Sequence, residues 1–315
     1  MTIVPQTYLT FSAIGNREDL SDMIYNIDPV ETPFQAMIDK SKATAVLHEW
    51  QTQALAPAAQ NAQLEGDEAA FTAVTPTVRV NNRCQIARKT VIVSGTQEAV
   101  DKAGRDGEMA YQMVLKNKEL RRDMEFDLCG NQAPVTGNST TARQFRPLCG
   151  WYATNDVRAT AGTPGADGTT TAAATDGTQV ALTEAMVKTA MANCWTNGGK
   201  PTKMMCGPVN KVKISAFTAN TTRYQDTSDK KLVTSLEIYD TDFGPLAIVP
   251  NRFQRERDVH ILQPDMWAVA YLRKPFTKDL AATGDADKGM LTVEYTLECR
   301  NEKSSAVVAD LTTTP

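Results

Sequence analysis

Two strand-like stretches, residues 45–53 and 71–93, flank about 20 residues rich in Ala and Gln that include Glu65, Gly66, Asp67 and Glu68. In the first stretch Val46, His48 and Trp50 alternate with Leu47, Glu49 and Gln51, the two-residue period of a strand. The second carries Val78 and Val80, then Ile86, then Val91, Ile92 and Val93. Together they predict an extended hairpin with a polar tip. A tip of that composition cannot bury enough apolar surface to order itself, and a loop this long inside a compact domain is usually functional. The tip is therefore expected to lie on another surface.

A helical pattern follows. Ser94-Gly95-Thr96-Gln97 matches a capping box. The pattern runs to Cys129 and meets a stop signal at Gly130-Asn131. Met109, Met113, Leu120, Met124 and Leu128 fall near one stripe. Glu98–Lys102, Asp101–Arg105 and Arg121–Glu125 stand at ion-pair spacing. One continuous helix here would measure roughly 45–50 Å, with Gly104 and Gly107 weakening its first third.

The remaining chain reads as smaller pieces. Asn16 can cap a short helix through Ile24, with Glu18 and Asp19 in its first turn, and residues 31–33 open a second helical stretch. These look like an arm laid on another surface. Residues 131–180 are low in complexity and read as surface loop, apart from residues 145–152. Thr183 caps a helix that ends at Asn197-Gly198-Gly199, with Leu182 stapled to Val187. Residues 203–206 form a strand, and Pro208 opens a helix through Phe217. Residues 232–239 and 245–249 predict a hairpin. Further strands are expected at 260–262, 267–272 and 291–300, with a last one at 305–309 paired to its predecessor. The class is α+β without βαβ alternation.

Composition narrows the function. The hydrophobic fraction of 42% and charged fraction of 22% are those of a globular protein with a real core. Mean hydropathy is −0.34 and nowhere do about 18 apolar residues run together, so no spanning helix and no membrane partner is expected. The first 15 residues lack the basic-then-apolar pattern of a secretory signal, which leads us to expect a cytosolic product. A net charge of −4 argues against a free-standing nucleic-acid binder. The six cysteines stand singly and read as reduced, packed thiols.

Catalytic templates fail in turn. There is no G-x-S-x-G elbow and no phosphate-binding G-x-x-x-x-G-K-[ST]. Gly162, Gly165 and Gly168 imitate a glycine-rich loop but follow Thr-rich filler instead of a strand. Cys194 and Cys206 lack a ligand at zinc spacing. His48 and His260 show no acid or nucleophile partner in sequence, and both read as structural. The expectation is a protein that is not an enzyme and needs no cofactor. Lys116, Lys118, Arg121 and Arg122 make the most basic stretch; it is either a solvated helix face paired with Glu119 and Glu125 or a surface that tolerates DNA phosphates.

The order of arm, long hairpin, long helix, α/β lobe and closing strands resembles the major capsid proteins of tailed double-stranded-DNA bacteriophages, of the Hong Kong 97-type fold. The residues that carry the resemblance are NRCQIARKTVIVSGTQEAV at 82–100, EDLSD at 18–22 followed by TPF at 32–34, KEL at 118–120 with DME at 123–125, and LCGW at 148–151. They cover the first half of the chain; the second half matches by element order.

The resemblance implies an N-arm (1–44), an extended loop (45–93), a peripheral domain (94–179 and 259–315, with a spine helix over 94–130) and an axial domain (180–258). It implies hexamers and pentamers of an icosahedral virion shell, assembled in the host cytoplasm around non-specifically held DNA. Glu65, Asp67, Glu68 and Phe71 would then contact a neighbouring subunit. Partners would be further copies of the chain, a separate scaffolding protein, a portal, and a decoration protein as a further candidate. Between Lys42 and Lys89 there is no lysine, so the loop lacks the nucleophile for an isopeptide weld and a non-covalent shell is expected. About 44 residues precede the loop, so no fused scaffolding segment is expected. An encapsulin-like nanocompartment shell and a cytosolic enzyme are the alternatives.

Overall fold

The computed structural model describes residues 6–7, 9–12, 14, 24–69, 71–165, 173–217 and 237–314. The first short helix expected at 16–24 falls almost entirely outside them. Among the described residues the arm contributes α1 (Pro33–Met37), with Pro33 in the first turn, and β1 (Asp39–Lys42). The hairpin strands are β2 (Leu47–Thr52) and β3 (Val78–Arg83), a two-stranded antiparallel ladder. The chain then continues into β4 (Gln85–Ser94). This strand does not extend the hairpin; it pairs with a strand some 200 residues later.

The long helix is two helices. The Ser94 hydroxyl accepts the Gln97 N–H as the capping box requires, but α2 (Gly95–Ala99) lasts one turn. Gly104 adopts φ +74°, a left-handed conformation that ends any helix crossing it. α3 restarts at Glu108 and runs to Leu128. Its 21 residues span about 31 Å, well short of the length expected for one continuous helix. The expected ion pairs change with the break. Glu98 instead accepts the backbone N–H groups of Glu108 (3.0 Å) and Met109 (3.2 Å), capping α3. Arg105 pairs with Glu108, and Glu125 turns into the core.

The next elements are β5 (Asp156–Val157), α4 (Glu184–Thr196), β6 (Lys203–Cys206), α5 (Pro208–Ser215), β7 (Ile238–Thr241) and β8 (Gly244–Pro250). Four strands close the chain: β9 (Val259–Leu262), β10 (Trp267–Leu280), β11 (Ala286–Cys299) and β12 (Ala306–Val308). Residues 232–236 of the expected hairpin lie outside the described set; its remainder is β7–β8. β10 and β11 are each 14 residues, longer than the 267–272 and 291–300 expected. The added half of β10 is mostly polar and exposed, and the added start of β11, 286–290, is half-buried with Asp287 exposed and Gly289 buried, so neither shows an apolar face in sequence.

One sheet has the order β1-β10-β11-β4 and the other β5-β12-β9-β6-β8-β7. The closing strand β12 does not pair with β11. It joins β9 antiparallel and β5 parallel. β6 and β8 are parallel across α5, a single crossover that the sequence pattern did not show.

Period-two alternation in the six-stranded sheet divides two cores. Met205, Leu262 and Val307 face a core built on α3, which also contains Phe34, Leu120, Met124, Leu128, Trp151 and Tyr295. Met204, Cys206, Ile261 and Val308 face the opposite core with Val187, Met191 and Ile214. α3 presses close on β11: a Cβ at Gly289 would stand 2.6 Å from Met109 Cε. All six cysteines are free and buried, as expected.

Candidate assembly surfaces

Between β2 and β3 the described residues 53–69 and 71–77 are all exposed. Their side chains include Phe71 (99% exposed), Leu55 (94%), Leu64 and Val74. A turn at the tip, with Asp67 N–H donating to Leu64 O and Gly66 at φ +86°, presents Glu65, Asp67 and Glu68 to solvent. The hydrogen bonds given by this loop's described residues stay within the loop and its flanking strands, as in Gln53 to Thr75 O and Thr77 to Gln51. Apolar side chains held away from their own subunit's cores are the surface a partner can cover.

The loop's root is firm. Glu298 on β11 gathers Ser41 Oγ (2.6 Å), His48 Nε2 (3.1 Å) and Arg300 Nε (3.2 Å). Those hydrogen bonds, the one from His48 first, hold its carboxyl well below the usual range, at about 2. Trp50 Nε1 donates to Cys299 O at 2.8 Å, and its ring lies 5.6 Å from that of Trp151. His48 therefore has an acid partner after all, one that a separation of 250 residues hides from any sequence pattern. His260 likewise lies beside Cys149 and Asp258.

The four basic residues of α3 do not share one face. At 100° per residue Lys116 points away from Lys118, Arg121 and Arg122. Lys116 pairs with Glu119 at 2.8 Å, and Arg122 approaches Asp28 of the arm at 3.6 Å. Lys118 and Arg122 line a groove with Tyr25, Asp28 and Tyr111. Arg121 is exposed, and its backbone carbonyl accepts from Gln35 Nε2.

Two anchoring residues carry no signal in sequence. Glu125 is fully buried near the end of α3. It accepts from Phe34 N (2.7 Å), Gln35 N (3.1 Å) and Asn251 Nδ2 (2.8 Å). Desolvation raises its pKa against those donors. Asn82, at the start of the 82–100 motif, donates to Leu297 O and Arg146 O and accepts from Arg146 N. Both read in sequence as ordinary polar residues because their partners are long-range.

The fold has counterparts. The family model of the SU10 major capsid protein matches residues 4–312. A major capsid protein of Escherichia phage Phieco32 is 28% identical, with 96% of this chain and 97% of that protein covered. Among solved structures, that of Microbacterium phage Oxtober96 superposes with a TM-score of 0.62 at 13% identity, over 93% of this chain and 95% of the other. The holo-SrpI encapsulin of Synechococcus elongatus PCC 7942 gives 0.57 at 11% identity, over 95% and 94%. At such identities the structural matches establish the Hong Kong 97-type fold, and the sequence match spanning nearly the whole chain establishes kinship: this chain belongs to the SU10 major capsid protein family.

Proposed function

We propose that this capsid subunit closes an icosahedral shell of hexamers and pentamers around double-stranded DNA, in the host cytoplasm and without catalysing a reaction. The observation that carries the reading is the loop over 53–77, whose exposed Leu55, Phe71 and Val74 have no place in either core of their own subunit. Laid on the next subunit, they are covered once per contact, and symmetry repeats that modest gain over the shell. Glu65, Asp67 and Glu68 would meet a basic surface there.

In this reading residues 1–44 are the arm, 45–93 the loop, 94–179 and 259–315 the peripheral domain, and 180–258 the axial domain. Lys118, Arg121 and Arg122, with Lys116 on the other side of the helix, would meet DNA phosphates without sequence preference. A separate scaffolding protein, a portal and a decoration protein complete the assembly. The encapsulin likeness supports a second reading, a shell around protein cargo.

Negative-stain electron microscopy of the purified chain, with and without co-expressed scaffolding candidates, tests this. Closed particles are expected with scaffolding. Persistent monomers in every condition would overturn the reading, and efficient closure by the chain alone would remove the scaffolding requirement. Nuclease-protected DNA in particles from infected cells separates the phage head from a protein container.

A further inference from the structure

We propose that the groove between the arm and α3 is a phosphate site, in which the Asp28 carboxylate keeps the place that a DNA phosphodiester takes when the shell is filled. Taking the shell to enclose DNA, as above, this narrows the basic stretch of α3 to two side chains and couples one of them to the arm. Tyr111, Lys118 and Arg122 line the groove from α3 at helical spacing, and Tyr25 and Asp28 line it from the arm.

The two cations are poorly neutralised. Lys118 is half-buried in the groove and has no acid partner among the described residues. Glu119, beside it, is engaged by Lys116 at 2.8 Å and approached by Lys89 at 3.8 Å. Arg122 reaches one acid, Asp28, with Nη1 3.6 Å from Oδ2. Neither of those side chains has another hydrogen bond or ion pair among the described residues, and that of Asp28 is 71% exposed. A pair so long and so exposed contributes little. Another anion therefore displaces the carboxylate readily.

Size and shape choose the anion. The groove measures about 190 Å³, below the roughly 300 Å³ at which ligand pockets begin, so it admits a phosphodiester but not an extruded nucleotide. The Tyr111 ring already carries the Arg105 guanidinium, 5.2 Å from its centroid, and serves as a wall instead of a stacking platform for a base. The Tyr25 side chain, 76% exposed, brings a phenol to the mouth. A phosphodiester has one negative charge and two free oxygens, which the Lys118 point charge and the Arg122 fork receive together. Each contact is weak, but the shell repeats it at every subunit and holds DNA without reading its sequence. Displacing Asp28 also loosens the arm at that point, while the hold of Glu125 on Phe34 remains.

Salt-dependent binding of the full chain to a short fluorescent DNA duplex, read by anisotropy, is the test. The Lys118→Gln, Arg122→Gln double substitution should weaken binding for every duplex sequence alike. It should also lower the slope of log affinity against log salt by about one, the signature of one lost phosphate contact. Lys278→Gln, in the exposed half of β10, should leave the slope unchanged. Asp28→Asn should tighten binding by roughly two- to five-fold in the parent. In the Arg122→Gln background it should have no effect, because the carboxylate competes through that guanidinium. Equal gains in both backgrounds, or a slope that the double substitution does not move, would overturn the site. So would a parent chain that fails to bind the duplex at low salt. Polyglutamate competing as well as DNA, with the same dependence on Lys118 and Arg122, would overturn the DNA assignment and give the groove to an acidic protein partner. Negative stain of the same variants reads the shell independently: particles that still close leave that function standing whatever their DNA affinity.

Discussion

The Glu125 carboxylate accepts the Phe34 N–H at 2.7 Å, so the last turns of α3 cap the first turn of α1, whose own N-cap residue Thr32 makes no side-chain cap bond. The same carboxylate takes Asn251 Nδ2 at the end of β8. One buried acceptor thus ties arm, spine helix and six-stranded sheet together. Glu125→Ala should destabilise the chain by about 1–3 kcal/mol for each buried donor left unpaired, with Glu125→Gln costing less. Urea unfolding measures the loss. Limited proteolysis should cut within residues 24–38 sooner in Glu125→Ala than in the parent.

The Glu98 carboxylate closes the gap between α2 and α3 by receiving two N–H groups at the start of α3. Glu98→Ala removes that cap and should cost about 1 kcal/mol, the usual value of an N-cap. Thermal unfolding at fixed pH reads it.

Glu298 binds a proton less readily when folded, at about 2, than its ordinary value of 4.5. Between those values the unfolded chain carries more protons than the native one. The stability Glu298 supplies is therefore complete above about pH 4.5 and is lost as pH falls through 2. Glu298→Gln should lie below the parent at pH 7, with the gap narrowing on acidification through that window. A constant gap in chemical denaturation across pH 2–5 would refute the assignment.

Burial pushes the Cys194 and Cys206 thiols up to about 12 and Cys84 to about 11, and all six cysteines are buried. Thiolate is the reactive form. A thiol reagent at pH 8 should label the native chain slowly and reach six equivalents only after denaturation. Rapid labelling of one cysteine would expose an opening the closed fold does not contain.

Phe71 is exposed in the isolated subunit and rests on nothing there. Phe71→Asp should leave the subunit's unfolding free energy within about 0.5 kcal/mol of the parent, as surface changes do. It should sharply reduce particle yield in sedimentation. A matched loss of stability and assembly would mean the side chain packs within its own subunit.

Local signals read well because neighbouring residues set them. The Ser94 cap, Pro208 at the head of α5 and the Gly198 turn after α4, at φ +81°, stand where the letters put them. So do the alternation of β2 and the polar tip at 65–68. The order of elements, with the motifs at 82–100, 18–22, 32–34, 118–125 and 148–151, carried the resemblance that names the fold. What tertiary contact decided lies between residues far apart in the chain. The helix whose stripe and charge spacing ran on stops at Ala99, and Gly104 turns left-handed in the gap. The Glu98 carboxylate caps the new start while its backbone carbonyl takes the Lys102 ammonium. β12 leaves β11 for β9 because its buried Val307 and Val308 must serve the two cores on either side of one sheet. Glu125 and Glu298 gain their roles from partners about 90 and 250 residues away. Periodicity and capping are properties of consecutive residues; burial of a lone carboxylate and choice of a strand's neighbour depend on which surfaces the whole chain brings together.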